Sequence, residues 1–455
     1  MFVKKSMKKV SAMLVALAMT AAVIPGCGTS NVAADKTAAA KTSGTNAASA
    51  STTVAKKDVT LTVWHFMNDR EALMNDFAKE YGASTGVKVD NQLYSSDVMK
   101  QKVQAAAVAG TLPDMWTFAG GVGDICRYAE TGNILRVDDY LNEWNRFDKS
   151  ILGLMEVTEL TRSQTTDNKK APLGNYIVPL DVNNMQYLYN KDLFKKAGLD
   201  PEAPPKTWAQ FIDAGKKLKA AGIIPFASGM GSWCQVSMCS DFQFEYLGTE
   251  NITKARQAQM SFKDAGLAKA INLFAEMRDA KMFADGSSTM DLPAAEKMFA
   301  NGQVAMIYDG SWALGVFKSM NPDFKNYGVF PTPKDERAQY EPLIPGGPGA
   351  FFTVNAKSKN TKEVMEYLKW LTDKPQQVKY ANESLNLPAN KNITDADKLA
   401  PQLLHFSKSM SLTQPIVPGE HASIADLYAK GLSLVIRGSM TPEQLVEQMD
   451  KNNNK

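Results

Sequence analysis

The order of strand-like and helix-like segments predicts an α/β fold with a parallel sheet. Residues 59–66 and 87–93 alternate apolar and polar side chains, as half-buried strands do, and residues 114–118 form a third such segment. Between them, residues 69–81 and 97–109 have the apolar spacing of helices. Strands that alternate with helices in this way form parallel sheets covered by helices.

The first helix shows this pattern clearly. Asn68 and Asp69 follow the first strand and are residue types favoured at helix N-caps. Apolar side chains then recur at helical spacing, and the face they form should be buried. These side chains are Leu73, Met74, Phe77 and Tyr81.

Later segments are mainly helical and have recognisable start signals. Residues 207–210 and 441–444 have the spacing of capping boxes. Asp291 opens a helix that residues 301–302 end, and residues 303–308 form the next strand. The α/β pattern therefore continues into the C-terminal half of the chain.

Composition and charge exclude several classes of protein. The 455 residues are 44% hydrophobic and 22% charged, values that exclude a disordered chain and a polytopic membrane protein. Four lysines lie within the first nine residues, and without them the 51 Lys and Arg fall to 47 against 48 Asp and Glu. A nearly neutral body offers no basic surface for nucleic acid.

The N-terminus has the pattern of an export signal. Residues 1–9 carry four lysines, residues 10–24 are almost entirely apolar or small, and Cys27 follows a proline and a glycine. As a helix the apolar stretch would span roughly 22 Å, which is short of the roughly 30 Å hydrocarbon core and argues against a retained transmembrane helix. Residues 28–57 are small and polar, so we expect a disordered tether.

Cysteine, histidine and catalytic motifs give few leads. Cys234 and Cys239 could form a local disulfide or remain two buried thiols, and both alternatives stay open. The three histidines are far apart and no metal-ligand spacing appears, so we expect neither a metal nor a cofactor. The hydrolase motif GxSxG is absent, and residues 346–349 lack dinucleotide-binding spacing and are expected to form a tight loop.

Tryptophans occur where predicted strands end, which is where ligands bind in open α/β sheets. Trp233 and Trp312 are flanked by Gly and Ser, which favours a role in ligand binding. A pyranose has an apolar C–H face and a rim of hydroxyl groups, and it suits a flat ring beside polar groups. The other candidates are expected in the core: Trp64, Trp116, Trp208 and Trp370.

Several stretches resemble one family, in family order, over nearly all of residues 58–450. They are Leu61–Trp64, Gly110–Asp114, Leu188–Phe194 followed by Pro205–Trp208, Gly302–Trp312, and the segment from Pro345 through the helix Thr361–Asp373 to Leu387–Ala389. In these stretches the chain resembles the extracellular solute-binding proteins of ABC importers, the family that includes maltose-binding protein.

The resemblance implies a two-lobe, periplasmic-binding-protein-like fold of type II, with a hinge and an inter-lobe cleft. Lobe 1 would comprise residues 58–180 and 331–385, and lobe 2 residues 181–330 and 386–455. The chain would cross between the lobes near Pro179–Asn184, Val329–Pro333 and Leu385–Pro388.

The resemblance also implies a set of ligand-binding residues. Trp312 matches the sugar-stacking tryptophan of the family, and Asn68, Phe118 and Asn183 match positions that reach into the cleft. Phe118 and Asn183 replace a tryptophan and a glutamate of maltose-binding protein, so maltose itself is not the expected ligand. The expected set is completed by Trp233, Asp309 and the rim glycines Gly346 and Gly347.

The function implied is that of a substrate-binding lipoprotein of an ABC importer, without catalytic activity. It would bind a carbohydrate as a monomer and deliver it to the transmembrane subunits of the permease. Residues 24–27 resemble a lipobox, so residues 1–27 would be a lipoprotein signal peptide, with the membrane anchor on Cys27 at the extracytoplasmic face. A plain secretory signal with an incidental cysteine is the alternative.

Other functions remain open from sequence alone. The same fold could bind a non-sugar solute such as a glycerophosphodiester, a polyamine or a peptide. A secreted glycoside hydrolase would share the export signal, the aromatic residues and the carboxylates, and its two carboxylates need not be close in sequence. A structural surface adhesin would bind no small ligand.

Overall fold

Two β-sheets organise the described part of the chain, which in this computed structural model comprises residues 58–118, 120–163, 170–231, 233–394, 397–410, 413–415 and 422–453. The described residues belong to one unit, Val54–Lys455. The predicted signal peptide, Cys27 and the tether at residues 28–57 lie outside them. Among the described residues, no helix combines the length and hydropathy needed to cross a bilayer.

The strands are β1 (Thr60–His65), β2 (Lys88–Leu93), β3 (Met115–Thr117), β4 (Val178–Pro179), β5 (Asp181–Asn190), β6 (Ile224–Ala227), β7 (Val304–Gly310), β8 (Tyr327–Phe330), β9 (Ile344–Pro348), β10 (Phe351–Val354), β11 (Leu387–Pro388) and β12 (Thr413–Pro415). The helices of the first half are α1 (Glu71–Thr85), α2 (Ser96–Ala109), α3 (Val122–Glu130), α4 (Asp138–Trp144), α5 (Lys149–Gly153), α6 (Glu159–Ser163), α7 (Lys191–Lys196) and α8 (Trp208–Ala220). Those of the second half are α9 (Cys234–Arg256), α10 (Phe262–Ala265), α11 (Leu267–Asp279), α12 (Leu292–Ala300), α13 (Ala313–Met320), α14 (Thr361–Leu371), α15 (Lys374–Ser384), α16 (Leu403–Ser409), α17 (Ala422–Ile436) and α18 (Pro442–Asn453).

The first sheet has the strand order β2-β1-β3-β10-β4. Strand β1 is parallel to both β2 and β3, which confirms the predicted parallel β-α-β-α-β unit. Side chains alternate across β1: Val63 enters one core, with Phe77 of α1, and Trp64 enters another, with Trp116 of β3. The sheet is therefore covered on both faces, as the alternation of strands and helices requires.

The second sheet is built around β5, in the order β12-β9-β5-β7-β6, with β8 and β11 also paired to β5. Strand β5 is antiparallel to β7, β8, β9 and β11. The largest core of the protein packs on this sheet and includes Tyr187, Phe226 and Met306, each fully buried. Mixed pairing of this kind depends on partners far apart in sequence.

The chain passes between the two sheets at defined positions. The chain leaves the first sheet after Pro179 of β4 and enters the second at Asp181 of β5, inside the range expected for a crossing. It returns between Pro348 of β9 and Phe351 of β10. The crossing that the sequence placed near Val329–Pro333 was therefore misplaced.

The hydrogen bonds of the segment after β8 explain this correction. Thr332 donates its hydroxyl to Asp241 of α9 at 2.5 Å, and the backbone N–H of Asp335 donates to Glu245 of the same helix at 2.8 Å. Both acceptors are fully buried and lie in α9, which packs in the core of the second sheet. The segment therefore stays with the second sheet until β9 has paired.

Helix starts follow the local signals with one exception. Thr207 and Gln210 form a capping box, Thr441 and Gln444 exchange the same two hydrogen bonds, and Asp291 caps α12. The predicted N-cap at Asn68 and Asp69 was wrong, because Asn68–Arg70 form a short 3-10 segment and α1 begins at Glu71. The Asp69 carboxylate accepts from Arg70 instead of capping the helix.

The tryptophans expected in the core are placed as predicted. Trp64, Trp116 and Trp208 are buried, and the half-buried Trp370 packs on the core beside α1. Cys234 and Cys239 are both fully buried and are not joined by a disulfide. Of the two alternatives left open for this cysteine pair, the structure therefore has the buried thiols.

Candidate functional site

A cleft of about 540 Å³ lies where segments of both sheets converge. Small-molecule sites commonly have volumes of about 300 to 1,000 Å³. The walls come from the chain after β1, the start of β5, helices α12 and α13, the β9–β10 link and the segment before β11. The lining residues are Phe66, Met67, Asn68, Asp69, Arg70, Asp181, Asn183, Pro293, Glu296, Trp312, Val316, Ser319, Met320, Gly349, Ala350 and Asn386.

Trp312 provides an aromatic wall of the cleft. It lies two residues after β7, at the N-cap position of α13, so the end of a buried strand fixes its position. Its ring lies over Gly310, where an added Cβ would be 2.0 Å from Cζ3 of the ring. The ring can occupy this place only because residue 310 has no side chain.

A second tryptophan ring stands beside the first. Trp233, just before α9, is 48% exposed, and its ring centroid lies 5.9 Å from that of Trp312 at an interplanar angle of 51°. The two indoles therefore form a tilted aromatic pair at the edge of the cleft.

Arg70 is held in a buried ionic network in another part of the cleft lining. Its Nε donates to Asp69 at 3.0 Å, and its Nη1 donates to Asp181 at 2.6 Å. The Tyr380 hydroxyl also contacts Arg70 and Asp181, and the other Asp181 oxygen accepts from the Ala350 N–H at 2.6 Å. Burial raises the pKa of Asp181, and the Arg70 guanidinium opposes that shift. The charge of Arg70 is therefore neutralised within the protein.

Two buried carboxyl groups lie beneath Trp312. Glu296 of α12 is 5% exposed, and Asp309 of β7 is fully buried. Oδ1 of Asp309 accepts from the backbone N–H of Gly310 at 2.7 Å, whereas Oδ2 has no hydrogen-bond partner among the described residues. Burial raises the pKa of Glu296 to about 7, with Asp69 adding to the shift, and burial together with Glu296 raises the pKa of Asp309 well above its ordinary range.

The structure brings several of the residues expected at the site to this cleft. Asn68, Asn183 and Trp312 are among its lining residues. Asp309 is fully buried, and Trp233 stands against Trp312, although neither lines the cleft itself.

Other expected site residues lie elsewhere. Phe118 is 5% exposed and packs in a core of the first sheet, where its ring stacks on Phe351 with centroids 6.1 Å apart. Gly346 and Gly347 are part of β9, hydrogen-bonded to β5, and so do not form the expected tight loop. The structure places neither Phe118 nor this glycine pair in the cleft, and the glycine that lines it is Gly349.

Several residues of the cleft were missed from sequence. Asp69 and Arg70 directly follow Asn68, and their position after β1 was a usable signal. Glu296 lies in the middle of a helix, and nothing local distinguishes it from a solvated glutamate. In the part of the chain that is described, no group of three or more His, Cys, Asp or Glu side chains is arranged to hold a metal ion.

Comparison with known proteins identifies the family. The model of the bacterial extracellular solute-binding protein family matches residues 67–378, more than half of the chain. The chain belongs to the bacterial extracellular solute-binding proteins.

Solved structures of similar shape include other solute-binding proteins. A structure from work on xylan utilization by the thermophilic bacterium Caldanaerobius polysaccharolyticus has a TM-score of 0.72 at 22% identity, covering 87% of this chain and 100% of its own. The protein RafE in complex with raffinose has a TM-score of 0.69 at 17% identity, covering 87% and 99%. At these identities the likeness shows the fold, which is the two-lobe fold of the maltose-binding type.

Curated relatives include the sn-glycerol-3-phosphate-binding periplasmic proteins. That of Brucella melitensis is 30% identical over 214 residues, 46% of this chain and 48% of its own length. That of Escherichia coli K12 is 28% identical over 287 residues, 59% of this chain and 64% of its own. The solute-binding protein thus spans about half the length of the Brucella relative.

Proposed function

We propose that this solute-binding protein captures a neutral carbohydrate, a di- or oligosaccharide, in the cleft. The main support for this proposal is the position of the Trp312 ring. The ring lies over Gly310, in the same cleft as the side chains of Asn68 and Asn183. A flat ring packs against the C–H face of a sugar, while amides and carboxylates bind its hydroxyl groups. Neighbours of the same fold include a chitin oligosaccharide binding protein.

The charges of the cleft favour a neutral ligand over a phosphate ester. Arg70 is the one cationic side chain among the described lining residues, and it is bound to both Asp69 and Asp181. Glu296 adds a further acidic group to the lining. A phosphate would lack a free cationic partner and would face three acidic side chains, so sn-glycerol 3-phosphate is the weaker candidate.

Binding and closure are coupled in the proposed mechanism. Burying one large side chain contributes about 1.5 to 3 kcal/mol, whereas micromolar affinity needs about 8 kcal/mol. The ligand must therefore contact residues from both sheets, such as Asn68 after β1 and Trp312 after β7. A ligand that touches both lobes binds the closed form better and shifts the hinge equilibrium toward it.

We extend the proposal to delivery and anchoring. The closed, monomeric protein would dock on the transmembrane subunits of an ABC permease, with a lipid on Cys27 holding it at the extracytoplasmic face of the membrane. The lobes would divide as the resemblance implies, with residues 331–348 moved to lobe 2 because they stay with the second sheet. In membrane fractionation, Cys27→Ala should move the protein from the membrane pellet to the soluble fraction.

Because the cleft contains carboxyl groups, glycoside hydrolysis is the alternative function to consider. A retaining glycoside hydrolase needs its two carboxyl groups about 5 Å apart, with the sugar between them. Glu296 lines the cleft, but Asp309 is fully buried and does not line it, so these two carboxyl groups do not face a sugar from opposite sides. Their placement supports a binding role for the cleft.

A thermal-shift screen tests the proposed function. Xylotetraose, N-acetylated chitotriose, raffinose and sn-glycerol 3-phosphate would each be added to the purified protein, and each mixture would then be checked for cleavage. At 100 times its Kd, a ligand adds about 2.7 kcal/mol of stability, a shift of about 2 to 4 °C or more. A shift with an intact sugar supports the proposal. A shift with glycerol phosphate alone, or cleavage of a sugar, would overturn it.

A further inference from the structure

The guanidinium of Arg70 has two N–H groups that the fold does not use. An arginine side chain carries five N–H donors, one on Nε and two on each Nη atom. Nε donates to Asp69 at 3.0 Å, and Nη1 donates both to Asp181, at 2.6 Å, and to the Tyr380 hydroxyl. Nη2 has no hydrogen-bond partner among the described residues. Both unused donors are therefore on Nη2.

These unused donors are accessible from the cleft. Arg70 is one of the residues that line it, although the side chain as a whole is only 9% exposed. Nη2 is not among the buried polar atoms that lack a partner in the described part of the chain, so it keeps contact with the space of the cleft. A ligand in the cleft can therefore reach both N–H groups.

Neighbouring side chains fix Arg70 in place. Tyr380 of α15 is fully buried, and its hydroxyl contacts both Arg70 and Asp181. A free arginine side chain loses rotamer freedom when it binds a ligand, whereas Arg70 is already ordered by the fold. Nη2 is therefore a pre-positioned donor.

Asp181, the main partner of Arg70, is itself anchored where the chain passes between the two sheets. Its carboxylate accepts from the Ala350 N–H at 2.6 Å, and its backbone N–H donates to the Ala350 carbonyl at 3.2 Å. A Cβ added to Gly349 would lie 1.9 Å from Oδ1 of Asp181, so the carboxylate occupies space that a side chain at residue 349 would fill. Arg70 is thereby connected to both the β4–β5 and the β9–β10 passage of the chain.

The chemistry of Nη2 suits the oxygen atoms of a neutral sugar. Sugar oxygens accept hydrogen bonds, and an arginine N–H only donates. Asp69 and Asp181 compensate the positive charge of Arg70, so the donors remain while the net attraction for an anion is removed. The site is therefore suited to hydroxyl, ring or amide oxygens.

We propose that Arg70 is a ligand-binding residue of the cleft, and that its Nη2 donates to oxygen atoms of the sugar. Asp69, Asp181 and Tyr380 are the residues that position it. This inference rests on the proposed function, because it assigns a donor in the same cleft. Arg70 lies after β1 of the first sheet and Trp312 after β7 of the second, so the sugar is held from both lobes.

Isothermal titration calorimetry of the full chain with Arg70→Lys tests the contact. Lysine keeps a positive charge for Asp181 but lacks the two N–H groups of Nη2. The probes are xylotetraose, N-acetylated chitotriose and raffinose. Loss of a hydrogen bond from a charged group should raise Kd about 10- to 150-fold. Arg146→Lys is the matched control, because the Arg146 side chain is also 9% exposed, donates to the Lys369 carbonyl and does not line the cleft.

Tyr380→Phe tests the positioning of Arg70 without removing a residue that lines the cleft. It removes one of the three partners of the guanidinium and should raise Kd about 2- to 10-fold. In the Arg70→Lys background the same substitution should leave Kd unchanged, because the donors that Tyr380 positions are absent. A merely structural role would raise Kd by the same factor in both backgrounds.

The result expected is weaker binding in Arg70→Lys and unchanged binding in Arg146→Lys, with thermal melts showing that both variants are folded. An unchanged Kd in folded Arg70→Lys would overturn the inference and leave the proposed function standing. Equal factors for Tyr380→Phe in both backgrounds would overturn the positioning role. If none of the three sugars binds the unsubstituted protein, the proposed function fails and the inference falls with it.

A crystal structure of the unsubstituted protein with the bound sugar tests the contact directly, even if Arg70→Lys does not fold. Nη2 should lie within about 3.2 Å of a sugar oxygen. A complex in which Nη2 makes no contact with the sugar would overturn the inference.

Discussion

Gly310→Ala should weaken ligand binding by displacing the Trp312 ring, without removing any group that touches the ligand. The added methyl carbon would lie 2.0 Å from Cζ3 and 2.2 Å from Cη2 of the ring. The backbone of Gly310 cannot easily move away, because it is paired with Met185 in the centre of the second sheet. The ring must therefore leave its place over the strand end.

The magnitude follows from the contact that is lost. Packing a sugar against one large ring contributes about 1.5 to 3 kcal/mol, so Kd should rise about 10- to 150-fold. Trp312→Ala should have an effect of similar size. In the double variant, alanine at residue 310 has no ring to displace, so Kd should match that of Trp312→Ala alone.

Calorimetric titration measures Kd for the two single variants and the double variant, with the neutral sugar that binds most tightly in the screen. Gly153→Ala is the matched control, since an added Cβ there meets no heavy atom within 4 Å. Thermal melts of each variant separate loss of binding from loss of fold. Normal binding by Gly310→Ala would refute the reasoning. The reasoning would also be refuted if Gly310→Ala changed Kd by the same factor in the presence and in the absence of the Trp312 ring.

Three further predictions concern buried groups outside the cleft. Burial raises the pKa of Glu245 from 4.5 to about 8, so the folded state holds a proton that the unfolded state loses, and the free energy of unfolding falls as pH rises through that range. In urea unfolding between pH 4.5 and 8.5 this fall should be at most about 5 kcal/mol, and it should be smaller in Glu245→Gln. An unchanged pH dependence in the variant would contradict this. Tyr380→Phe removes the hydroxyl bonded to the buried Asp181 and should lower the free energy of unfolding by about 1 to 3 kcal/mol, so an unchanged urea midpoint would count against it. Cys234 and Cys239 should react with a thiol reagent only after unfolding, and rapid labelling of the native protein would show that they are accessible.

Much of the fold could be predicted from the sequence because its signals are local. The parallel unit of β1, β2 and β3 with α1 and α2 follows from apolar spacing, and the capping boxes at Thr207 and Thr441 need only residues three positions apart. The tight loop expected at residues 346–349 was wrong because β9 exists only through pairing with β5 and β12, whose residues are distant in sequence. Local signals cannot report such pairing.

The candidate site, like the fold, could be predicted only in part from the sequence. Sequence alone determined that Asn68 and Trp312 each lie just after a strand, and both residues line the cleft, although β1 and β7 belong to different sheets. Only the tertiary structure decided that Phe118 packs in a core, that Arg70 is neutralised by two carboxylates, and that Glu296 is a buried residue of the cleft lining. These outcomes depend on which segments pack together, and packing sets the burial and the charged neighbours from which affinity and protonation follow.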